Sequence, residues 1–349
     1  MATARPPDRQ APALRDVVVT WPDYDPDGEH LGHALRRAGL TPRLEAKRGA
    51  RSAAEMRRLL AGAVAAIVST DPFDAAVLAA SPGLRVIARV GVGVDSIDVD
   101  AATAHGVAVT ITPGANEATV ADHTVALMLA AMRRICEHDG GVRQGQWNRT
   151  GRHTPWLLTG STVGLVGFGQ IGRTVARRLA GFEVRVLVTD PVAPRESAVE
   201  AVSLDALLAQ SDVVSLHAPL LPSTRRLIGA RELALMRADA VLVNTARGGV
   251  VDEDALVHAL ERGRLRAAAL DVFADEPPAG SRLLGLSNVV LSPHIAGLSS
   301  RSVQEMTRRA TGSVIEVLRG RAPEHLANPR VLEHAAFSGA PVAARGAGG

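Results

Sequence analysis

The chain has 349 residues, 46% of them apolar and 21% charged, which is enough for two domains with full cores and too apolar for a disordered chain. Its formal charge is only +3, Lys47 is the sole lysine, and aromatic residues make up 3%, so the basic stripe and stacking surface that nucleic-acid binding needs are not expected. No apolar run approaches the ~20 residues that span a bilayer, and the first residues, MATARPPDRQ, lack the apolar core of a secretory signal, so a cytoplasmic protein with no membrane partner is expected.

In chain order, residues 1–14, rich in Pro and Arg, read as a flexible tail. Short apolar runs at 16–20, 65–69, 86–89 and 108–110 read as strands, with helices such as 32–38 and 53–61 between them. An apolar helical run follows at 120–135. The only cysteine, Cys136, falls at its end, where packing is its expected role; a single cysteine excludes an intrachain disulfide or a Cys-based zinc site, and no metal is expected. A second series of strands reads at 163–166, 184–189, 213–216, 240–244, 267–270 and 289–291. Strands alternating with helices predict a parallel, doubly wound α/β sheet, and the first series predicts a smaller unit of the same kind. The two domains are expected to enclose a cleft, and the helix at 304–318 to return to the first domain. Residues 335–349, rich in Ala and Gly, read as a second tail.

The stretch from Thr162 runs an apolar strand into Gly167-x-Gly169-x-x-Gly172 and then into a helical pattern. A dinucleotide pyrophosphate needs that order: one glycine for the turn, one for close approach of the ligand, one for helix–strand packing, with the phosphates at the helix N-terminus. About twenty residues on, the next strand ends at Asp190, near the spacing at which a carboxylate accepts from an adenosine ribose. Asp190 also reads as a simple turn residue before Pro191.

Ligands of open α/β sheets bind beyond the carboxyl ends of the strands. Three successive strands of the second series are followed by Asn244-Thr-Ala-Arg247, Asp271-Val-Phe-Ala-Asp-Glu276 and Ser292-Pro-His294. Arg247 suits a bidentate grip on the carboxylate of a 2-oxo acid. His294 suits proton donation to the alkoxide formed at C2, and the base role in oxidation. Glu276 beside the imidazole would stabilise its protonated form and hold its tautomer. Singly, each reads as an ordinary loop residue; together, beside a dinucleotide loop, they read as a catalytic trio.

At these residues the chain resembles the D-isomer-specific 2-hydroxyacid dehydrogenases, of the phosphoglycerate dehydrogenase kind. The likeness runs from about residue 86 to 329 and rests on the 163–172 loop, His217-Ala-Pro-Leu-Leu-Pro-Ser-Thr224, Asn244-Thr-Ala-Arg-Gly-Gly-Val-Val-Asp-Glu253, Asp271-Val-Phe and Ser292-Pro-His-Ile-Ala-Gly297, in that order. The resemblance implies a Rossmann-type NAD-binding domain at 117–298 inserted in a flavodoxin-like substrate domain at 15–116 and 299–330. It implies catalysis by Arg247, Glu276 and His294, and NAD contacts from Gly167, Gly169, Gln170, Ile171, Gly172, Asp190, His217, Thr245, Ala246, Asp271 and Gly297, with Asp271 on the nicotinamide carboxamide. Arg89, Gly91, Val92 and Gly93 resemble the loop that binds the substrate carboxylate, and a homodimer made through the NAD domain is implied. Glu276 stands where formate dehydrogenases use Gln, and Val92 where phosphite dehydrogenase places a lysine, which counts against both substrates. The expected activity is therefore NAD-dependent hydride transfer between nicotinamide and C2 of a small 2-oxo or 2-hydroxy acid, with phosphoglycerate, glyoxylate, hydroxypyruvate and larger 2-oxo acids all open. Loops at 21–27, 69–74 and 147–154 are expected to sense the substrate side chain. The alternative is an NAD-sensing scaffold like the C-terminal-binding-protein corepressors, which resemble the same family. Asp190 predicts NAD over NADP, and Arg195 nearby would soften that preference.

Overall fold

Among the described residues every strand runs parallel to its neighbours, so the central strands are covered on both faces and are mostly apolar rather than alternating. The computed structural model describes residues 15–22, 24–25, 31–46, 51–192, 196–335 and 337. The tail expected at 1–14 lies outside the described residues, as do Lys47, Arg195 and all of 335–349 except 335 and 337. The chain divides into two compact units, one of residues 1–113 with 304–349 and one of 114–303.

The first unit holds β1 (Asp16–Val19), α1 (Gly32–Arg37), β2 (Thr41–Leu44), α2 (Ala53–Leu59), β3 (Ala63–Val68), α3 (Ala75–Ala79), β4 (Val86–Arg89), α4 (Val99–Ala104) and β5 (Ala108–Thr110). The sheet order is β2-β1-β3-β4-β5, the flavodoxin-like winding. β2 was not expected. Its sequence Thr-Pro-Arg-Leu has no apolar run because it is an edge strand, the one place where a sheet tolerates proline and half-exposed charge. Trp21 and Phe73, which lie in two of the loops expected to sense the substrate side chain, are both buried. Past β5, Asn328 threads its amide into the sheet edge, accepting from Val109 N at 2.8 Å and donating to Val107 O at 2.9 Å.

The second unit begins with α5 (Glu117–Met132) and α6 (Ile135–Arg143). The helix expected at 120–135 is α5, which ends at Met132, and a second helix not expected from the sequence follows once Arg134 takes a left-handed φ of 52°. That break turns α6 away from the core, and Cys136, expected to pack, is exposed. Then come β6 (Thr162–Val166), α7 (Gln170–Leu179), β7 (Arg185–Thr189), β8 (Glu200–Ala201), α8 (Leu204–Gln210), β9 (Val213–Leu216), α9 (Ala230–Leu235), β10 (Val241–Asn244), α10 (Glu253–Glu261), β11 (Ala267–Leu270) and β12 (Val289–Leu291). Their order is β12-β11-β10-β9-β6-β7-β8. The exposed two-residue edge β8 carries no apolar signal, and the sequence reading omits it. Val214, Leu216, Leu242 and Leu270 fill the core on one face of this sheet, and Val163, Leu165, Val213, Val243 and Ala269 fill the other. The winding reverses between β6 and β9, and this places a crevice beyond their carboxyl ends. The last helix, α11 (Ser300–Leu318), crosses the division at 303, and its Arg309 donates to Pro113 O in the first unit, the return expected of this segment.

Candidate active site

The glycine loop leaves β6 at the reversal, and its three glycines meet three different constraints. Gly167 has a φ of +94°, and a Cβ there would lie 2.8 Å from Ala218 N. Gly172 would place a Cβ 2.5 Å from Gly167 O, so helix and loop touch backbone to backbone. Gly169, the N-cap of α7, has open space where its side chain would be, and no side chain caps that helix. A tight turn, a close helix and an open, uncapped helix N-terminus beside Gln170 and Ile171 form a cradle that fits a pyrophosphate. Asp190, at the end of β7, accepts from Phe168 N at 2.7 Å and from Val192 N at 2.8 Å. Its turn reading is thus real, and each oxygen keeps a lone pair for a ribose hydroxyl. His217 follows β9, with its Nε2 3.0 Å from Ser215 Oγ; burial pushes its imidazole down to about 4, so it is a neutral wall of the site near pH 7.

The catalytic candidates follow the adjacent strands β10, β11 and β12, and backbone contacts lock the three loops together. Asn244 shapes the first loop, donating to Arg247 O at 2.9 Å and accepting from Ala246 N at 3.0 Å. Thr245 is buried and shares a hydrogen bond of 2.8 Å with Thr124 of α5. Gly248 presses so closely on the second loop that a Cβ would lie 1.9 Å from Phe273 C and O. Arg247 Nη1 donates to Ala246 O at 2.7 Å, which holds the root of its guanidinium. In the second loop Glu276 accepts from Phe273 N at 3.1 Å through Oε1 and from His294 Nδ1 at 2.6 Å through Oε2. A carboxylate only accepts, so Nδ1 carries the proton of that bond and Nε2 is the ring nitrogen left for chemistry.

His294 has a φ of 54°, a left-handed conformation that costs a non-glycine residue about 1–2 kcal/mol. Asp271 holds it there. Its backbone O accepts from His294 N at 2.8 Å, Oδ1 accepts from Ile295 N at 2.9 Å and Ser292 Oγ at 2.6 Å, and Oδ2 accepts from Ala296 N at 2.8 Å. Burial raises this carboxyl, but the nearby His123 imidazole and hydrogen bonds from Ser292 and the amides of Ala296 and Ile295 outweigh burial and leave it below the ordinary carboxylate range. Asp271 is fully buried, with its oxygens turned to the His294 loop, whereas the family likeness puts it on the nicotinamide carboxamide. Gly297 gives its side-chain space to Asn116, whose Nδ2 would lie 2.8 Å from a Cβ there. Asn244, Gly248 and Ser292 carry this geometry from within the motifs quoted above, where short polar residues and glycines near strand ends are too common to stand out, and His123 carries it from α5, where the sequence offers no signal.

In the first unit, Arg89 is buried, with Nε donating to Gly93 O at 3.0 Å and Nη1 donating to Val90 O. Its guanidinium occupies the space a Gly91 side chain would need, 2.5 Å from that Cβ, while Val92 is exposed. Arg89 therefore shapes the Gly91–Gly93 turn from beneath. No helix among the described residues is long and apolar enough to cross a membrane.

Residues 125–296 match the model of the D-isomer specific 2-hydroxyacid dehydrogenase NAD binding domain. The chain is 44% identical over 273 residues to a glyoxylate reductase of Korarchaeum cryptofilum, spanning 76% of this chain and 82% of that one. It is 46% identical over 255 residues to a D-3-phosphoglycerate dehydrogenase of Mycobacterium leprae, spanning 72% of this chain and 47% of that one. A D-lactate dehydrogenase of Aquifex aeolicus, solved with NAD and lactic acid, superposes with a TM-score of 0.79 at 28% identity, covering 89% of this chain and 98% of the other. The two windings, the dinucleotide cradle and these relatives agree: the chain belongs to the D-isomer specific 2-hydroxyacid dehydrogenase family and is an NAD-dependent oxidoreductase acting on the CH–OH group of 2-hydroxy acids.

Proposed function

We propose that the protein reduces a small 2-oxo acid of the glyoxylate type, with His294 as the proton donor, Glu276 as its orienting partner and Arg247 as the carboxylate anchor. The observation that carries the catalytic assignment is the 2.6 Å bond from His294 Nδ1 to Glu276, because it fixes the tautomer and leaves Nε2 as the acid. When bound, the nicotinamide supplies the hydride for C2. His294 gives its proton to the resulting alkoxide and takes it back in oxidation; Glu276 stabilises the charged imidazole between the two. Gly167, Gly169, Gln170, Ile171 and Gly172 hold the pyrophosphate, Asp190 the ribose, and His217, Thr245, Ala246 and Gly297 line the same cofactor. In the first unit, Gly91, Val92 and Gly93 bind the substrate carboxylate through backbone amides, with Arg89 fixing their turn. The small substrate is supported by the glyoxylate reductase relative, most of whose length is matched, against less than half for the phosphoglycerate enzyme.

A homodimer made through the second unit and a cytoplasmic location belong to the same reading. α6 has nine residues, none of them buried, and Ile135, Val142, Trp147 and Leu157 are exposed along it and the segment after it. A short helix is marginal without tertiary packing, and an apolar surface of this kind marks an interface. The central test is His294→Ala with NADH and a panel of 2-oxo acids. Turnover is expected to fall by about 10²–10⁴-fold with the NADH Kd nearly unchanged. Normal turnover in that variant sinks the assignment, and inactivity of the wild-type protein across the panel favours the scaffold.

A further inference from the structure

His294 is held in place by a polar chain that starts on a different element, and the far end of that chain has no part in the reaction as described above. His123 lies in the second turn of α5, with Nε2 2.9 Å from Ser292 Oγ and 3.6 Å from Asp271 Oδ1. Ser292 Oγ gives its single proton to Asp271 Oδ1 at 2.6 Å, so in the pair with His123 the hydroxyl accepts and the imidazole donates. Asp271 then receives Ile295 N, Ala296 N and, on its backbone carbonyl, His294 N. The chain runs from His123 to Ser292, to Asp271 and on to the amides that flank the catalytic imidazole. It braces a left-handed histidine, in a five-residue loop between β12 and Gly297, against relaxation to ordinary φ, alongside the side-chain bond from His294 to Glu276.

We propose that His123 and Ser292 are positioning residues for His294, fastening α5 to the catalytic loop through the buried Asp271 carboxylate. The hydroxyl of Ser292 is what the device requires, because it alone accepts from the imidazole while donating to the carboxylate. An alanine there leaves the His123 donor without its acceptor and takes one of two hydrogen bonds from the buried Asp271 Oδ1, which keeps only Ile295 N. A threonine supplies the same hydroxyl. The inference rests on His294 as the acid, and its test includes a readout without cofactor or substrate.

The test compares Ser292→Ala, Ser292→Thr and His123→Gln by hydrogen exchange of the Ile295 and Ala296 amides in the cofactor-free protein, by NADH Kd, and by kcat and KM. Ser292→Ala is expected to lose about tenfold of the exchange protection and about tenfold or more of kcat, with the NADH Kd within about threefold of wild type. Ser292→Thr is expected to restore both. His123→Gln, which keeps a donor, is expected to fall between wild type and Ser292→Ala, and it carries the test if Ser292→Ala does not fold. Unchanged protection in Ser292→Ala, or a Ser292→Thr variant as impaired as the alanine, overturns the proposal. Loss of protection together with an active His294→Ala enzyme overturns the acid assignment instead and leaves the tether standing.

Discussion

Gly248→Ala tests whether the Arg247 and Glu276 loops work as one rigid piece. A Cβ at 248 would lie 1.9 Å from Phe273 C and O and 2.5 Å from Ala274 N, all backbone atoms that no rotamer change can move aside. To reach ordinary contact at 3.4 Å the loops must part by about 1.5 Å, and a displacement of about 1 Å costs an aligned reaction on the order of 10²-fold in rate. Overpacking of this kind also destabilises a fold by about 1–3 kcal/mol. The expected result is therefore a kcat/KM for 2-oxo acid reduction lowered by about 10²-fold in a protein that still folds and still binds NADH, since the cradle around Gly169 is built separately. Steady-state kinetics with NADH fluorescence titration measures both quantities. Gly285→Ala, where a Cβ meets nothing within 4 Å, is the matched control and should behave as wild type. A Gly248→Ala enzyme with wild-type kcat/KM would refute the claim that backbone contact between these loops sets the position of Arg247.

Asp190→Ala leaves Phe168 N and Val192 N without their acceptor and removes the charge that opposes a 2′-phosphate, so the NADH KM should rise about tenfold and the NADPH to NADH ratio of kcat/KM should increase; an unchanged ratio argues against a ribose role. His217 takes its proton at about 4 in the folded protein against 6.5 in the unfolded chain, so the unfolded state binds more protons across that window. Stability should consequently rise with pH between those values and fall by up to about 3 kcal/mol as pH drops through them. Urea midpoints of wild type and His217→Gln at stepped pH check this, and identical acid slopes would contradict it. Ile135→Asp with Val142→Asp should convert a dimer to a monomer by light scattering, and a wild-type protein that is already monomeric removes the interface reading.

Most of the second unit was legible because its strands are buried on both faces and so appear as bare apolar runs between helices. The sites delivered by those strands were legible for the same reason, since a carboxyl end is wherever such a run stops. β2 and β8 escaped notice because an edge strand has only part of its surface to bury, and nothing apolar marks Thr-Pro-Arg-Leu or Glu-Ala. The break at Arg134 was hidden because an apolar sequence on both sides looks continuous, and only the backbone shows α6 turning Cys136 outward. The sequence places Arg89 in the loop that resembles a carboxylate-binding turn, and only the fold shows its Nε and Nη1 donating to Gly93 O and Val90 O within that turn.

Charge marks the candidate catalytic residues in the sequence and says little about what holds them. Arg247, Glu276 and His294 stand out in the sequence because each carries the functional group its step needs. The residues that hold them are a glycine whose missing side chain lets two loops touch, an asparagine that closes a turn on its own neighbours, and a serine that links a helix histidine to a buried carboxylate. Asp271 joins the two groups. The family resemblance implies a contact of Asp271 with the cofactor, and in the fold its carboxylate is fully buried and accepts three hydrogen bonds from the loop that carries His294. A carboxylate with that many partners is costly to redirect, because giving up the bond from buried Ala296 alone leaves a donor unpaired at about 1–3 kcal/mol. Any contact it makes with a nicotinamide would therefore use a lone pair left over from this cluster, whose hydrogen bonds all run to the loop that carries His294.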